Sequence, residues 1–317
     1  MIYAYGLCQQ GAYHVKEGII CQDAYNIIKC GPRMVIGVVA DGLGSEQYSD
    51  IAAKTAVSIA AKYCAEKISS KSLDEEILNA IHEAFTASQD AIEHIAAENG
   101  HDADQYDTTL SLALLFEGNL YYGHSGDSGI VALADDGMYY KVTEQQRDQD
   151  GRVFPLFFRE EKWVFGKFEK KTVSAFLATD GMYELLFPVY LRNETVSIYV
   201  TLARFFMAPD SLKIAEIGEN AVETNMEEFV GSLSDTQVND DKTMVVIIDS
   251  SVEYCLQSDD YYREPDWESL REKYERNWRR QAYPNLFPAH NNELQNEAIT
   301  DEKINDNKSI DSTGNDQ

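Results

Sequence analysis

Aspartates recur where apolar runs meet loops. Asp41-Gly42 ends the run Val-Ile-Gly-Val-Val-Ala, Gly126-Asp127 follows Leu-Tyr-Tyr-Gly-His-Ser, and Asp180-Gly181 ends Ser-Ala-Phe-Leu-Ala-Thr. Asp240-Asp241 comes just before Thr-Met-Val-Val-Ile-Ile, and Asp23 lies in Gly-Ile-Ile-Cys-Gln-Asp-Ala-Tyr-Asn-Ile-Ile. Singly, each is an ordinary turn residue. Brought together they would repel one another and resist ionisation. Hard divalent cations remove that conflict, and Mg²⁺ or Mn²⁺ prefer all-oxygen ligands. Two such ions about 3.5–4 Å apart hold a bridging water and aim it at phosphorus. The glycine after Asp41 lets its own carbonyl approach a metal without a side chain in the way.

Those aspartates need rigid elements behind them. Residues 34–40 are continuously apolar, which predicts a strand buried on both faces. Beyond Gly44, Tyr48, Ile51, Ala52, Thr55, Ala56, Ile59 and Tyr63 recur at helical spacing, with Ser45 as the expected cap. Ser72-Leu-Asp-Glu75 reads as a capping box. Leu73, Ile77, Ile81, Phe85, Ile92 and Ile95 form the stripe of that helix, which stops at Asn99-Gly100. Residues 109–116 and 120–123 predict one hairpin, and 129–134 and 138–142 another. Residues 173–178 and 244–248 are further short strands. Residues 183–233 read as two or three helices. The sum is an α+β layered fold, sheets packed together with helices outside.

One domain is expected over residues 1–250, then an extension over 251–288 with one exposed helix. Residues 289–317 hold seven acidic and two basic residues and almost no large apolar ones, which predicts a disordered acidic tail. The net charge of −27 argues against nucleic acid and anionic membranes as partners. The five cysteines show no Cys-x-x-Cys spacing, so neither a disulfide framework nor a thiolate zinc site is indicated. No signal peptide or membrane-length apolar run is read, which favours the cytoplasm. A monomer is expected.

The ordered set Gln-Asp-Ala-Tyr, Val-Val-Ala-Asp-Gly-Leu-Gly-Ser, Thr-Thr-Leu, Gly-His-Ser-Gly-Asp-Ser, Ala-Thr-Asp-Gly-Met-Tyr-Glu-Leu-Leu and Asp-Asp-Lys-Thr-Met-Val-Val-Ile resembles the metal-dependent PPM-type phosphatases, the protein phosphatase 2C family. His14, Lys16, Cys21, Gln22, Asp23 and Ala24 are similar to the N-terminal signature of its divergent bacterial branch. The resemblance implies a four-layer α-β-β-α sandwich of two mostly antiparallel sheets flanked by helices. It implies a binuclear centre bridged by Asp41, with the Gly42 carbonyl on one ion and Asp180 and Asp240 on the other. Asp127 would help hold a third, weaker ion, and Asp23 would hydrogen-bond metal-bound water. Three positions depart from the family pattern: Gln22 where many members have Glu, Gly18 where many have a phosphate-binding Arg, and Gly129 where Arg often follows Gly-Asp-Ser. Lys16 or His14 is then the nearest source of the missing cation, and His14 also suits protonation of the leaving group.

Other residues carry less. His124 reads as structural, because imidazole is not a preferred Mg²⁺ ligand. Thr108 and Thr109 read as packing near the site, and Cys21 as a packing residue. Arg147, Arg152, Arg159 and Lys162 fall in an irregular segment that matches the family's flap or is an ordinary loop. The expected activity is hydrolysis of phosphoserine and phosphothreonine in proteins phosphorylated by a cognate Ser/Thr kinase, by direct attack of a metal-bridging water. The competing reading is a catalytically weak phosphoprotein-binding or regulatory module on the same fold.

Overall fold

A computed structural model describes residues 1–284 and Leu286. The tail expected over 289–317 lies outside them. The described strands form two five-stranded sheets, antiparallel throughout. One has the order β1 (Ile2–Gln9), β10 (Lys242–Asp249), β9 (Thr172–Ala178), β6 (Gly129–Ala134), β7 (Tyr139–Lys141). The other runs β2 (Asp23–Lys29), β3 (Met34–Asp41), β4 (Leu110–Phe116), β5 (Asn119–Ser125), β8 (Val164–Lys167).

The apolar run at residues 34–40 is two-faced because β3 is a middle strand of a middle layer. Val35 and Val39 point between the sheets, where they meet Ala113, Leu115, Ile130, Ala175, Leu177, Val245 and Ile247. Ile36, Val38 and Ala40 point the other way, into a core shared with α2 (Ser49–Lys67) and α3 (Asp74–Asn99). On the far side Tyr5, Leu7, Phe176, Val246 and Ile248 pack beneath α4 (Asp180–Leu186), α5 (Val200–Met207) and α8 (Glu219–Gly231). Three apolar layers between four structural ones give the expected α-β-β-α sandwich. Short helices α1 (Ala12–Glu17), α6 (Pro209–Leu212) and α7 (Ile214–Ile217) lie in the connections.

Several local expectations shift. A strand not read from the sequence, Ile2–Gln9, comes first and pairs residue for residue with β10, so Asp23 opens the second. Helix α2 starts at Ser49; Ser45 bonds the Glu46 carboxylate instead of capping it. The box before α3 moves by one residue: Glu76 accepts the Leu73 N–H, Ser72 accepts that of Ser69, and Leu73 stays exposed. Within the irregular segment after residue 143, Val164–Lys167 pairs with β5 as an edge strand.

The first compact unit runs to Glu264; beyond Asp249, Cys255 N–H donates to the Asp135 carbonyl and Tyr139 N–H to the Tyr261 hydroxyl. A second unit begins at Pro265 and carries α9 (Trp267–Ala282), with the Asp266 side chain capping Ser269 N–H at 3.1 Å. No helix among the described residues is long and apolar enough to cross a membrane.

Gly37 marks how closely the sheets approach. A Cβ there would lie 2.7 Å from Val245 Cγ1 and 3.0 Å from Ile247 Cδ1. Gly37→Val should therefore cost roughly 1–3 kcal/mol by overpacking, read as a lower urea midpoint. An unchanged midpoint would contradict this inter-sheet contact.

Candidate metal centre

Asp41, at the tip of β3, is fixed through its backbone. Its N–H donates to Thr109 Oγ1 at 2.9 Å, and its carbonyl accepts from Thr109 N–H at 2.8 Å and Thr108 Oγ1 at 2.9 Å. Thr109 Oγ1 also meets Ser128 Oγ at 2.9 Å, tying this tip to the turn that carries Asp127. Gly42 sits against the start of α2: an added Cβ would meet Ser49 O at 2.6 Å and Gln22 O at 2.8 Å. The close approach therefore requires glycine. Gln22 holds the same corner, accepting Gly42 N–H and donating from Nε2 to Ser49 Oγ at 2.7 Å.

Three carboxylates converge. One oxygen each from Asp41, Asp127 and Asp180 lie within 4.8 Å of one another. Asp180 reaches the cluster as the first residue of α4. Thr179, just before it, donates to Asp23 Oδ2 at 2.8 Å, and Asp23 is the cross-strand partner of Asp41. Burial pushes Asp41 well above the usual carboxylate range, helped by the charges of Asp23, Asp180, Asp127 and Asp240. Burial likewise raises Asp180, with Asp127 and Asp240 adding to it, up to about 7. Asp23 is raised by burial and by Asp241. These carboxylates are buried and crowded enough to resist ionisation.

The structure brings a cation into them. Arg147 Nε donates to Asp127 Oδ2 at 2.9 Å; its Nη2 lies 2.7 Å from the same oxygen, 3.0 Å from Asp180 Oδ2 and 3.4 Å from Glu184 Oε1. Partial burial works against the guanidinium, yet these carboxylates hold it above its ordinary value. Burial raises Asp127, and Arg147 opposes that rise. A positive group held by three carboxylates, in a donor set made only of oxygens, is the chemistry a hard divalent cation would meet. The residues present therefore fit a hard divalent cation.

The remaining expected residues are distributed unevenly. Asp240 lies outside the three-carboxylate group, with its side chain 59% exposed, though near enough to raise Asp41 and Asp180. Its neighbour Asp241 is buried and accepts from Gly11 N–H at 2.6 Å and Gln22 N–H at 2.7 Å. His14 stands on α1 and is buried. Its Nδ1 is 2.9 Å from Asp241 Oδ1, off hydrogen-bond alignment, and its Nε2 is 3.9 Å from Asp240 Oδ1. Lys16 is not brought to the carboxylates: it is 80% exposed and 3.9 Å from Glu17. Gly18 caps α1 in a left-handed conformation with open space around it. Gly129 lies under Tyr183, whose ring would meet a Cβ at 2.2 Å, so no arginine fits there.

Arg147 and Asp241 are the two residues that sequence reasoning passed over as site members. Asp241 offered one signal, its adjacency to Asp240. Arg147 offered less: Gln146 N–H bonds the Gly126 carbonyl, and that long-range register sets Arg147 beside Asp127. Its neighbours in the segment turn elsewhere. Arg159 binds Asp90 and Glu93, and Lys162 lies over Phe154. His124 is structural: Ser111 Oγ meets its Nδ1 at 2.8 Å, and its Nε2 donates to the Glu144 carbonyl at 3.0 Å.

A family model described as Protein phosphatase 2C matches residues 10–231. Among solved structures, a bacterial serine phosphatase aligns with a TM-score of 0.54 at 14% identity, covering 81% of this chain and all of that one. The serine/threonine phosphatase Stp1 from Staphylococcus aureus aligns at 0.54 and 13% identity, over 79% of this chain and 96% of its own. The Mycobacterium tuberculosis serine/threonine phosphatase PstP/Ppp aligns at 0.52 and 14% identity, over 80% and 99%. No curated protein matches the sequence. At these identities the structural likeness is one of fold.

Two outcomes test the electrostatics. Arg147→Gln should destabilise the metal-free chain by about 1–2 kcal/mol, since the guanidinium is partly in solvent, and should enlarge the rise in Tm caused by Mn²⁺. Equal Mn²⁺ responses of variant and parent would count against the guanidinium competing for these oxygens. His124, lowered by burial from 6.5 to about 4, is neutral in the fold, so the unfolded chain protonates first. Its contribution is complete above about pH 6.5 and lost as pH falls toward 4; His124→Gln should flatten that part of a urea stability profile.

Proposed function

Because the chain belongs to the protein phosphatase 2C family, we propose that it is a metal-dependent phosphatase acting on phosphoserine and phosphothreonine in proteins. The observation that carries this reading is the convergence of Asp41, Asp127 and Asp180 from three separate strand ends. Asp41, the Gly42 carbonyl, Asp127, Asp180 and Asp240 would hold Mg²⁺ or Mn²⁺. When bound, the cations would supply Lewis-acid activation of the attacking water and neutralise charge building on the phosphoryl oxygens. Asp23, locked by Thr179 against the root of Asp180, orients water at the cluster's edge. His14 stands between Asp240 and Asp241 and can pass a proton from Nε2 to the departing alkoxide. Arg147 is the guanidinium nearest the carboxylates. It takes the phosphate-binding part that Gly18 leaves open, with Lys16 adding an exposed ammonium on α1. The substrates are phosphoproteins of a cognate Ser/Thr kinase, met by a monomer in the cytoplasm, with residues 1–250 as the catalytic domain.

The same guanidinium also favours a second reading. A chain whose carboxylates are already bridged by Arg147 would bind phosphoproteins and turn them over poorly. Initial rates on a phosphothreonine peptide with Mn²⁺ separate the two. Under the phosphatase reading, Asp41→Asn and Asp180→Asn each lose about a thousandfold in kcat/KM, equivalent to about 4 kcal/mol. Undiminished turnover by both variants would sink it. Metal-dependent peptide binding by the parent without turnover would establish the binding module.

A further inference from the structure

Two thiols sit at the edge of this site with no part in the chemistry above. Cys8 is exposed near the end of β1, and Cys21 immediately precedes Gln22 and Asp23. Their Sγ atoms are 3.4 Å apart, and Cys8 Sγ is 3.7 Å from the Asp23 carbonyl. Both backbones are anchored. Cys8 and Gln9 are registered against Thr243 and Lys242 of β10, while Gln22 is bonded through its N–H to Asp241 and through its carbonyl to Gly42. The chain between them carries α1, with His14 and Lys16.

We propose that Cys8 and Cys21 form a reversible disulfide, made by exchange with a small-molecule disulfide of the oxidised-glutathione class, that staples the α1 segment across the edge of the site. The Cys8 thiolate attacks one sulfur of the small disulfide, forming a mixed disulfide and expelling one thiolate. Cys21, giving up its proton, attacks the Cys8 sulfur, breaks the mixed disulfide and expels the second. Two protein thiols are oxidised and one small disulfide is reduced to two thiols. Cys8 is the entry point because it is exposed, whereas Cys21 is half-buried. The contact with Cys21 draws the Cys8 thiol down to about 7, where attack near neutral pH is efficient. Neither Cys30 nor Cys64 shares this placement: Cys64 is buried, and burial raises both thiols.

The test uses the full chain with oxidised glutathione, followed by thiol titration after unfolding. The count should fall from five to three and return to five with dithiothreitol, and peptide mapping should find Cys8 joined to Cys21. Cys21→Ser should stop at a glutathione adduct on Cys8. In the oxidised chain, amides of Ala12–Glu17 should exchange at least tenfold more slowly. Retention of all five thiols, a cross-link through Cys30, Cys64 or Cys255, or no adduct on Cys8 in Cys21→Ser would overturn the proposal. Phosphopeptide turnover should drop several-fold on oxidation and recover on reduction. That arm alone rests on the proposed function: a chain inactive in both states counts against the phosphatase reading, while the thiol readouts still judge the disulfide.

Discussion

Carboxylates that repel one another, held at the end of a rigid sandwich, are the constraint on which the rest depends. Left to itself, the group formed by Asp41, Asp127 and Asp180 would spread apart or take up protons. It does not spread, because each member is tied down by something other than its charge. Asp41 is held by the Thr108–Thr109 backbone and hydroxyls, Asp127 by a turn linked through Ser128 to Thr109, and Asp180 by its place at the head of α4. Arg147 supplies the opposite charge in the metal-free fold. The scaffold thus keeps anionic oxygens crowded, which is what makes such a place attractive to hard cations.

The layers explain why the scaffold can do this. β3 offers Val35 and Val39 to one core and Ile36, Val38 and Ala40 to another, so sliding it by one residue would exchange both sets. Its tip is therefore fixed by apolar packing along its whole length. Asp23 shares that precision through its register with Asp41. The same logic reaches His14, which stands on a one-and-a-half-turn helix too short to be stable alone. Contacts to Asp241 and the Tyr13 N–H bond to Asn239 hold it in place.

Much of this was legible in the sequence because apolar periodicity and Asp-Gly punctuation are local signals. A layered α+β fold, β3, the end of α3 at Gly100 and the strand-end places of Asp41, Asp127 and Asp180 follow from them, whereas the four layers and the gathering of those aspartates were implied by the family resemblance. What was not legible depends on long-range register. Arg147 reaches Asp127 only because Gln146 bonds Gly126, and no local pattern encodes that pairing. Asp240 and Asp241 are adjacent and chemically identical. Which of them is buried follows from how β10 meets Gly11 and Gln22, a fact absent from either residue's neighbours in sequence. The strand Val164–Lys167 escaped because an edge strand lacks a strong alternating pattern, being half solvated on its outer side.

The pairing of β1 with β10 has a temporal side. Among the described strands β1 comes first in the chain and lies at the edge of its sheet, paired with β10, which comes last. A chain leaving the ribosome from its N-terminus carries an unsatisfied strand edge until residues 242–249 have emerged. Asp241, which organises Gly11, Gln22 and His14, arrives in that same final stretch. The anionic end of the molecule is therefore completed only once residues 240–249 have been made. A product that stops before Asp240 carries Asp23, Asp41, Asp127 and Asp180 but not Asp241, which draws the N-terminal segment in beside them.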